Sequence, residues 1–329
     1  MKQKFLRNAE KCITMPGMTA SFEQRVAGLV DEFRRQRPLR AGSLIITVYG
    51  DAIAPRGGTV WLGSLIRLLE PFGLSERLTR TAAYRLVQDD WLKTQPIGRR
   101  SYYSLTDNGR RRFENATRRI YSRPSNTWDH RWCFVMLPPV HSGTDRDVLR
   151  KELGWQGFGL LRPGVMAHPS PDTDVLSNTL DELDASNDVI VMQAEGFSRA
   201  LAPMQRLVEE CWRLDELESR YEEFVARFEP VLAATSKRRN LDTAASLRAR
   251  MLLIHEYRKI LLRDPRLPRD LLPQRWPGEA AYDLCRRLYR RLHASADGYL
   301  GEMLETIDGS LPEPAEYFFQ RFGGLPVKT

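Results

Sequence analysis

The chain has 329 residues, too many for one compact core and suited to two or three domains. Hydrophobic residues make up 42% and charged residues 28%, ordinary values for folded protein, and no run of about 18 apolar residues occurs, so wholesale disorder and a membrane-spanning helix are both excluded. The net charge is +8, and all of the excess lies in residues 40–123, where 15 Lys or Arg face 7 Asp or Glu, leaving 35 of each sign elsewhere. A basic segment joined to a neutral remainder points to a dedicated phosphate-facing surface.

Residues 1–39 read as an N-terminal extension. A basic start (Lys2, Lys4, Arg7) lacks the apolar stretch and cleavage site of a secretory signal, so a cytoplasmic protein is expected. A short helix is predicted near Phe22–Phe33, and Pro38 marks a boundary. The four cysteines (Cys12, Cys133, Cys211, Cys285) stand far apart and form no C-x-x-C pair. With no clustered histidine, neither a metal site nor a catalytic thiol is expected.

Residues 40–123 carry the most informative pattern. Ser43–Tyr49 fits either a strand or a first helix, and Val60–Glu70 reads as a helix with Leu62, Leu65, Ile66 and Leu69 inward. It ends at Pro71-Phe72-Gly73, a turn needing a positive φ at the glycine. Ser75 then caps a helix running to Asp89. Two helices about a short glycine turn form the helix-turn-helix pattern. On the second, Leu78, Ala82, Leu86 and Val87 face inward, while Arg77, Arg80, Thr81, Tyr84 and Gln88, with Arg85 beside them, form a polar face able to bond base edges or phosphates. Taken alone, that face could be a merely solvated one. Trp91–Gln95 and Arg100–Leu105 then read as two strands flanking Pro96-Ile97-Gly98-Arg99, a wing with Arg99 and Arg100 at its tip. Thr106 caps a last helix, Asp107–Tyr121, whose Arg110, Arg111, Arg112, Arg118 and Arg119 either touch the DNA backbone or solvate the helix.

Residues 124–202 alternate. Trp132–Leu137, Gly157–Leu161, Val165–His168 and Asp188–Ala194 read as strands, and Asp145–Leu153 and Thr173–Ala185 as helices. The order β-α-β-β-α-β is ferredoxin-like, a fold that often pairs with a copy of itself. Residues 203–329 are helical: Met204–Phe228 shows one continuous 3.6-residue period, followed by Leu247–Leu262, a proline-rich loop from Arg263 to Gly278, and Asp283–Leu304. The fold class is therefore α+β and multidomain, with a winged helix-turn-helix, a ferredoxin-like middle domain and an α-helical C-terminal domain.

Two distant motif sets carry a family likeness. Tyr49-Gly50-Asp51, Pro55-Arg56-Gly57-Gly58, Trp61-Leu62-Gly63-Ser64-Leu65 and Gly98-Arg99-Arg100-Ser101-Tyr102-Tyr103 lie in the basic segment. His255-Glu256-Tyr257-Arg258-Lys259-Ile260, Leu262-Arg263-Asp264-Pro265 and Trp276-Pro277-Gly278 lie in the helical one. Together they resemble the PaaX family of bacterial regulators, repressors of phenylacetate catabolism, over residues 40 to 310. The resemblance implies a homodimer that binds an inverted repeat in double-stranded DNA and is released by phenylacetyl-CoA or a related acyl-CoA. Residues 1–39 fall outside the pattern, as they would with a true start at Met15 or Met18 or with a cloning remnant.

A CoA thioester needs clustered cations and an aromatic wall. His255, Tyr257, Arg258, Lys259, Arg263 and Trp276 are the effector candidates, the alternative being that Arg258 and Arg263 pair with Asp264 and Glu256 to pin the proline-rich loop. The rival class is a metal-dependent nuclease like the small CRISPR-associated ferredoxin-like subunits, which place an aspartate at the end of the first strand. Here that strand ends in Pro138-Pro139, and the next acid is Asp145. Neither a nucleophile elbow nor a glycine-rich phosphate loop suggests another enzyme.

Overall fold

A computed structural model describes residues 20–123, 128–138, 145–195, 201–236 and 238–326. Cys12 and the alternative starts Met15 and Met18 lie outside the described residues. Helix α1 (Phe22–Arg35) is entered through a capping box at Ser21 and Gln24. Its apolar face (Phe22, Val26, Leu29, Val30, Phe33) is buried in the main core. The helix foreseen in the extension is thus longer by two residues and packed, not appended.

Helix α2 (Ala41–Val48) settles the ambiguity at Ser43–Tyr49 in favour of a helix, which continues as one π turn over Tyr49–Ile53. The predicted helix from Val60 is corrected: Thr59–Trp61 is a strand, β1, and α3 (Leu62–Leu69) starts only after it. β1 pairs antiparallel with the later strand β3 (Arg100–Leu105), Val60 opposite Tyr103. Gly73 adopts φ 78°, as the turn requires. α4 (Glu76–Gln88) follows, capped by the Ser75 hydroxyl, which accepts from the Leu78 N–H at 3.3 Å. β2 (Leu92–Ile97) and β3 (Arg100–Leu105) form the hairpin, with a tighter turn, Gly98-Arg99, than the four residues expected. The sheet order is β1-β3-β2. α5 (Asp107–Tyr121) starts at Thr106, whose hydroxyl accepts from the Gly109 N–H at 2.9 Å.

The middle block contains β4 (Arg131–Met136), α6 (Arg146–Trp155), β5 (Gly159–Arg162), β6 (Val165–His168), α7 (Thr173–Glu182) and β7 (Ile190–Glu195). The sheet order β5-β6-β4-β7 is the ferredoxin-like arrangement expected from the element order. This block has its own core around Val135, Leu149, Leu153, Phe158 and Leu176.

The single helix predicted over Met204–Phe228 is in fact two, α8 (Leu201–Cys211) and α9 (Leu214–Thr235). The break at Trp212-Arg213 is tertiary in origin. The Trp212 indole N–H leaves the helix line to donate to the Gly157 carbonyl at 2.8 Å, and its ring fills the space beside Gly159. Pro203, read as a boundary, sits inside the start of α8, where a missing N–H costs nothing. α10 (Thr243–Leu261), α11 (Gly278–Met303), β8 (Glu305–Thr306), β9 (Gly309–Ser310) and α12 (Glu316–Phe319) complete the chain.

One core runs from α1 through the winged helix into α9, α10 and α11, so those parts form one body. The middle block docks on it through apolar contacts, with Trp132 and Ala167 joining the same core and Trp132 lying 6.4 Å from the Trp212 ring, and through polar ones. The His168 Nε2–H donates to the Pro265 carbonyl at 2.9 Å, next to the Trp212–Gly157 bond. Gly157, at φ +100°, lets Pro265 approach: a Cβ there would meet the Pro265 oxygen at 2.8 Å.

Candidate nucleic-acid interface

Helix α4 turns its buried side (Thr79, Ala82, Ala83, Leu86) to the core. The inward face is thus rotated slightly from expectation, with Leu78 and Val87 only half-buried. Arg77, Arg80, Thr81, Tyr84, Arg85 and Gln88 are all exposed. Tyr84, at 62% exposure, is an aromatic ring held out in water for no reason of folding. Arg80 donates to Glu76 at 2.7 Å, an exposed pair one turn apart that is weak enough to exchange for a phosphate. The hydroxyl of Thr81 is spent on the Arg77 carbonyl at 2.9 Å.

The wing projects: every residue of β2 after Leu92 is exposed, and Arg99 is exposed at the turn. Arg100 is not a free tip residue. It donates to Glu305 at 2.8 Å and lies over the Trp61 ring at 4.2 Å. Arg67 at the end of α3 does the same, reaching Glu305 at 3.1 Å and Trp61 at 4.9 Å. The C-terminal hairpin therefore braces the wing through one carboxylate. The arginines of α5 divide. Arg110 and Arg111 are exposed, and Arg112 lies over Trp91 at 4.9 Å. Arg119 turns inward to the Leu261 carbonyl at 3.0 Å and the Asp264 carbonyl. It serves the junction with the helical domain, neither of the two roles foreseen for it.

That junction is built on Asp51. Its carboxylate accepts Arg250 Nε at 2.7 Å, Arg321 at 3.2 Å, and the hydroxyls of Tyr121 at 2.7 Å and Tyr289 at 2.9 Å. Burial alone would raise this carboxyl; the two guanidiniums and two hydroxyls outweigh it and hold it below its ordinary value. Asp297 extends the network to Arg56 at 2.9 Å and to Arg250 at 2.6 Å. None of these roles was read from sequence. The available signal was an aspartate inside the apolar run Leu44–Ile53, which demands partners wherever it is buried.

The six effector candidates do not converge. His255 is buried against Phe33, and its Nδ1–H donates to the Thr47 hydroxyl at 3.1 Å, because that hydroxyl's own proton goes to Ser43. Burial, then Lys259 and Arg258, push its pKa down to about 3, so the ring is neutral. Tyr257 packs on Phe224, and Trp276 on Tyr221. Lys259 pairs with Glu256 at 3.0 Å, and Arg263 is exposed. Arg258 lines a cavity of about 10 Å³ between α2, α5 and α10. The pairings once conceivable for the loop are different ones: Asp264 accepts from Tyr221 and from the Arg266 N–H, and Glu256 takes Lys259 and Arg227. At the end of β4, where a nuclease would carry its aspartate, stand Leu137 and Pro138, and the Asp145 carboxylate is spent capping α6.

Helix, strand, helix, turn, helix and two-stranded wing, fused to a ferredoxin-like sheet and a helical bundle, define a winged helix-turn-helix protein with an outward cationic face. Three family models match in the same order: PaaX-like protein at residues 40–109, the PaaX protein central Cas2-like domain at 125–208, and the PaaX-like protein C-terminal domain at 212–302. The chain is 40% identical over 293 residues, 88% of its length and 92% of the relative's, to the transcriptional repressor PaaX of Escherichia coli strain K12. The chain belongs to the PaaX family. Among solved structures, uncharacterized protein Rv0674 from Mycobacterium tuberculosis is 26% identical, covering 71% of this chain and 90% of its own. Its TM-score of 0.41 is too low to transfer any arrangement.

Proposed function

We propose that this chain is a transcriptional repressor that reads duplex DNA with α4 and the β2–β3 wing. The observation that carries the reading is the uniformly exposed face Arg77, Arg80, Thr81, Tyr84, Arg85 and Gln88 beside a projecting cationic hairpin. Arginine and glutamine match the donor and acceptor pattern of the major groove, and Arg99 at the wing tip suits a phosphate or the minor groove. The relative of known role, a transcriptional repressor, supports the same reading.

The finer proposal is a homodimer on an inverted repeat controlling a phenylacetate-type aromatic-acid operon, released by an aryl-acyl-CoA. Strand β7 is an edge of its sheet with Ile190 at 58%, Val191 at 42% and Met192 at 42% exposure. An apolar edge of this kind suits pairing with a second copy. Such a pair would set two recognition helices about 34 Å apart, one turn of DNA. Release requires that the effector bind better to a dimer geometry with the wrong spacing than to the DNA-competent one.

Gel shifts at two salt concentrations test the reading. Arg77→Ala or Arg80→Ala should relax sequence choice by about 1–3 kcal/mol at one base position. Arg99→Ala should weaken binding to all sequences and lower the salt slope by about one. A preference of less than about 10³-fold for any operator over random duplex would place the protein with nonspecific binders instead.

A further inference from the structure

Arg67 near the end of α3 and Arg100 at the start of β3 converge on one anion supplied from the far end of the chain. Glu305, the first residue of β8, accepts Arg67 Nη2 on Oε1 at 3.1 Å and Arg100 Nη1 on Oε2 at 2.8 Å. Both guanidiniums lie over the Trp61 ring, 4.9 and 4.2 Å from its centre, which limits where they can point. The indole lies close against Gly63, where a Cβ would meet the ring at 2.4 Å. Two cations on one aromatic platform, each directed at a separate oxygen of a single acid, suit an anion with two free oxygens. A phosphodiester presents such a pair in its non-bridging oxygens.

The carboxylate is not what docks the C-terminal segment. The Glu305 backbone N–H donates to the Ser64 hydroxyl at 3.3 Å, the Ala315 N–H to the Pro55 carbonyl at 2.8 Å, and Arg321 to the Asp51 carbonyl at 2.8 Å. What the Glu305 side chain adds is charge. The three side chains are 36–49% exposed, so their pairs are weak and within reach of a competing anion. One acid against two cations also leaves the group with a positive charge in excess. The arginines belong to the elements that flank the outward face: Arg100 follows Arg99 of the wing turn, and α3 leads through the Glu70–Phe72 turn into α4. We infer that Arg67 and Arg100 form a clamp for one backbone phosphate of duplex DNA, filled by Glu305 until DNA displaces it. This rests on the reading of α4 and the wing as the DNA-contacting surface. Only Leu304 separates Glu305 from α11, so the helical domain supplies the competing acid and opposes DNA binding.

The test uses the full chain and fluorescence anisotropy on a random-sequence duplex at several salt concentrations, because a phosphate contact carries no sequence preference. Glu305→Gln is expected to tighten binding about 3- to 10-fold, and Arg67→Ala to weaken it by a similar factor with a salt slope lower by about one. Asp308, exposed at the tip of the same hairpin, controls for charge alone, and Asp308→Asn should change affinity less than about 2-fold. With Arg67→Ala and Arg100→Ala both present, the gain from Glu305→Gln should vanish. Affinity for free coenzyme A, a phosphate ester from another source, should not change in Arg67→Ala; a loss confined to coenzyme A would overturn the DNA assignment. An equal gain from Glu305→Gln and Asp308→Asn, a gain that survives the loss of both arginines, or weaker binding by Glu305→Gln would overturn the clamp and leave the DNA-contacting surface in place. A wild type that binds no duplex would overturn both.

Discussion

Replacing Asp51 by Asn removes one charge and almost no volume, so the response isolates electrostatics. The asparagine keeps a carbonyl for the Tyr121 and Tyr289 hydroxyls but turns an NH₂ toward guanidiniums that can only donate. Arg250 is 0% and Arg321 3% exposed, so water cannot replace the lost carboxylate, and Asp297 remains the one acid for Arg56 and Arg250. Breaking a buried pair while leaving the cation costs about 3–5 kcal/mol. At about 2–4 °C per kcal/mol that is a melting drop of roughly 6–20 °C. Adding Arg250→Met to Asp51→Asn should restore part of the loss, with a coupling of about 1 kcal/mol or more. The charge also carries a pH signature. Because the folded carboxyl lies below its ordinary value, its contribution is complete above about pH 4 and fades as pH falls through the folded value. Asp51→Asn should therefore lose that acid limb. Urea denaturation of the single and double variants measures both effects. A loss under about 1 kcal/mol at neutral pH, or strict additivity, would refute the view that this carboxylate joins the domains.

Further outcomes follow from the same geometry. His168 is pushed down to about 4, chiefly by burial, and its neutral ring donates to Pro265 and accepts the Ser170 N–H. Its unfolded value is near 6.5, so stability should fall as pH drops from about 6.5 to about 4. His168→Gln should make that limb shallower in urea midpoints, with a residual slope from His255; an unchanged limb would show the ring to be uninvolved. Glu305→Gln should leave stability within about 1 kcal/mol, since its pairs are exposed, yet free Arg67 and Arg100 for phosphate. Binding to random duplex should then tighten with a steeper salt slope, and weakened binding would mean instead that Glu305 aims those arginines.

The exposed polar face of α4 was legible in sequence because amphipathicity is local. Arg77, Arg80, Thr81, Tyr84, Arg85 and Gln88 share a side of α4 by helical spacing alone, and no distant residue had to be known. The βαββαβ order likewise implied the sheet order β5-β6-β4-β7 through short-range chain connectivity. The three-residue strand β1 was hidden in a helical period, because what makes it a strand is its pairing with β3, some 40 residues on. The break at Trp212 was hidden for the same reason: apolar periodicity continues through it, and the indole's partner is Gly157, 55 residues away.

The amino-acid order alone thus settled the family, the three folds and the polar face of α4, all properties of neighbours along the chain. Tertiary structure decided which arginines are free. Arg100 and Arg119 are as basic in sequence as Arg77, but Glu305 and the end of α10 engage them. It also decided that Asp51 meets Arg250 and Arg321 across 199 and 270 residues. Burial fixes such pairings, because a charge removed from water must find its partner wherever the fold brings one.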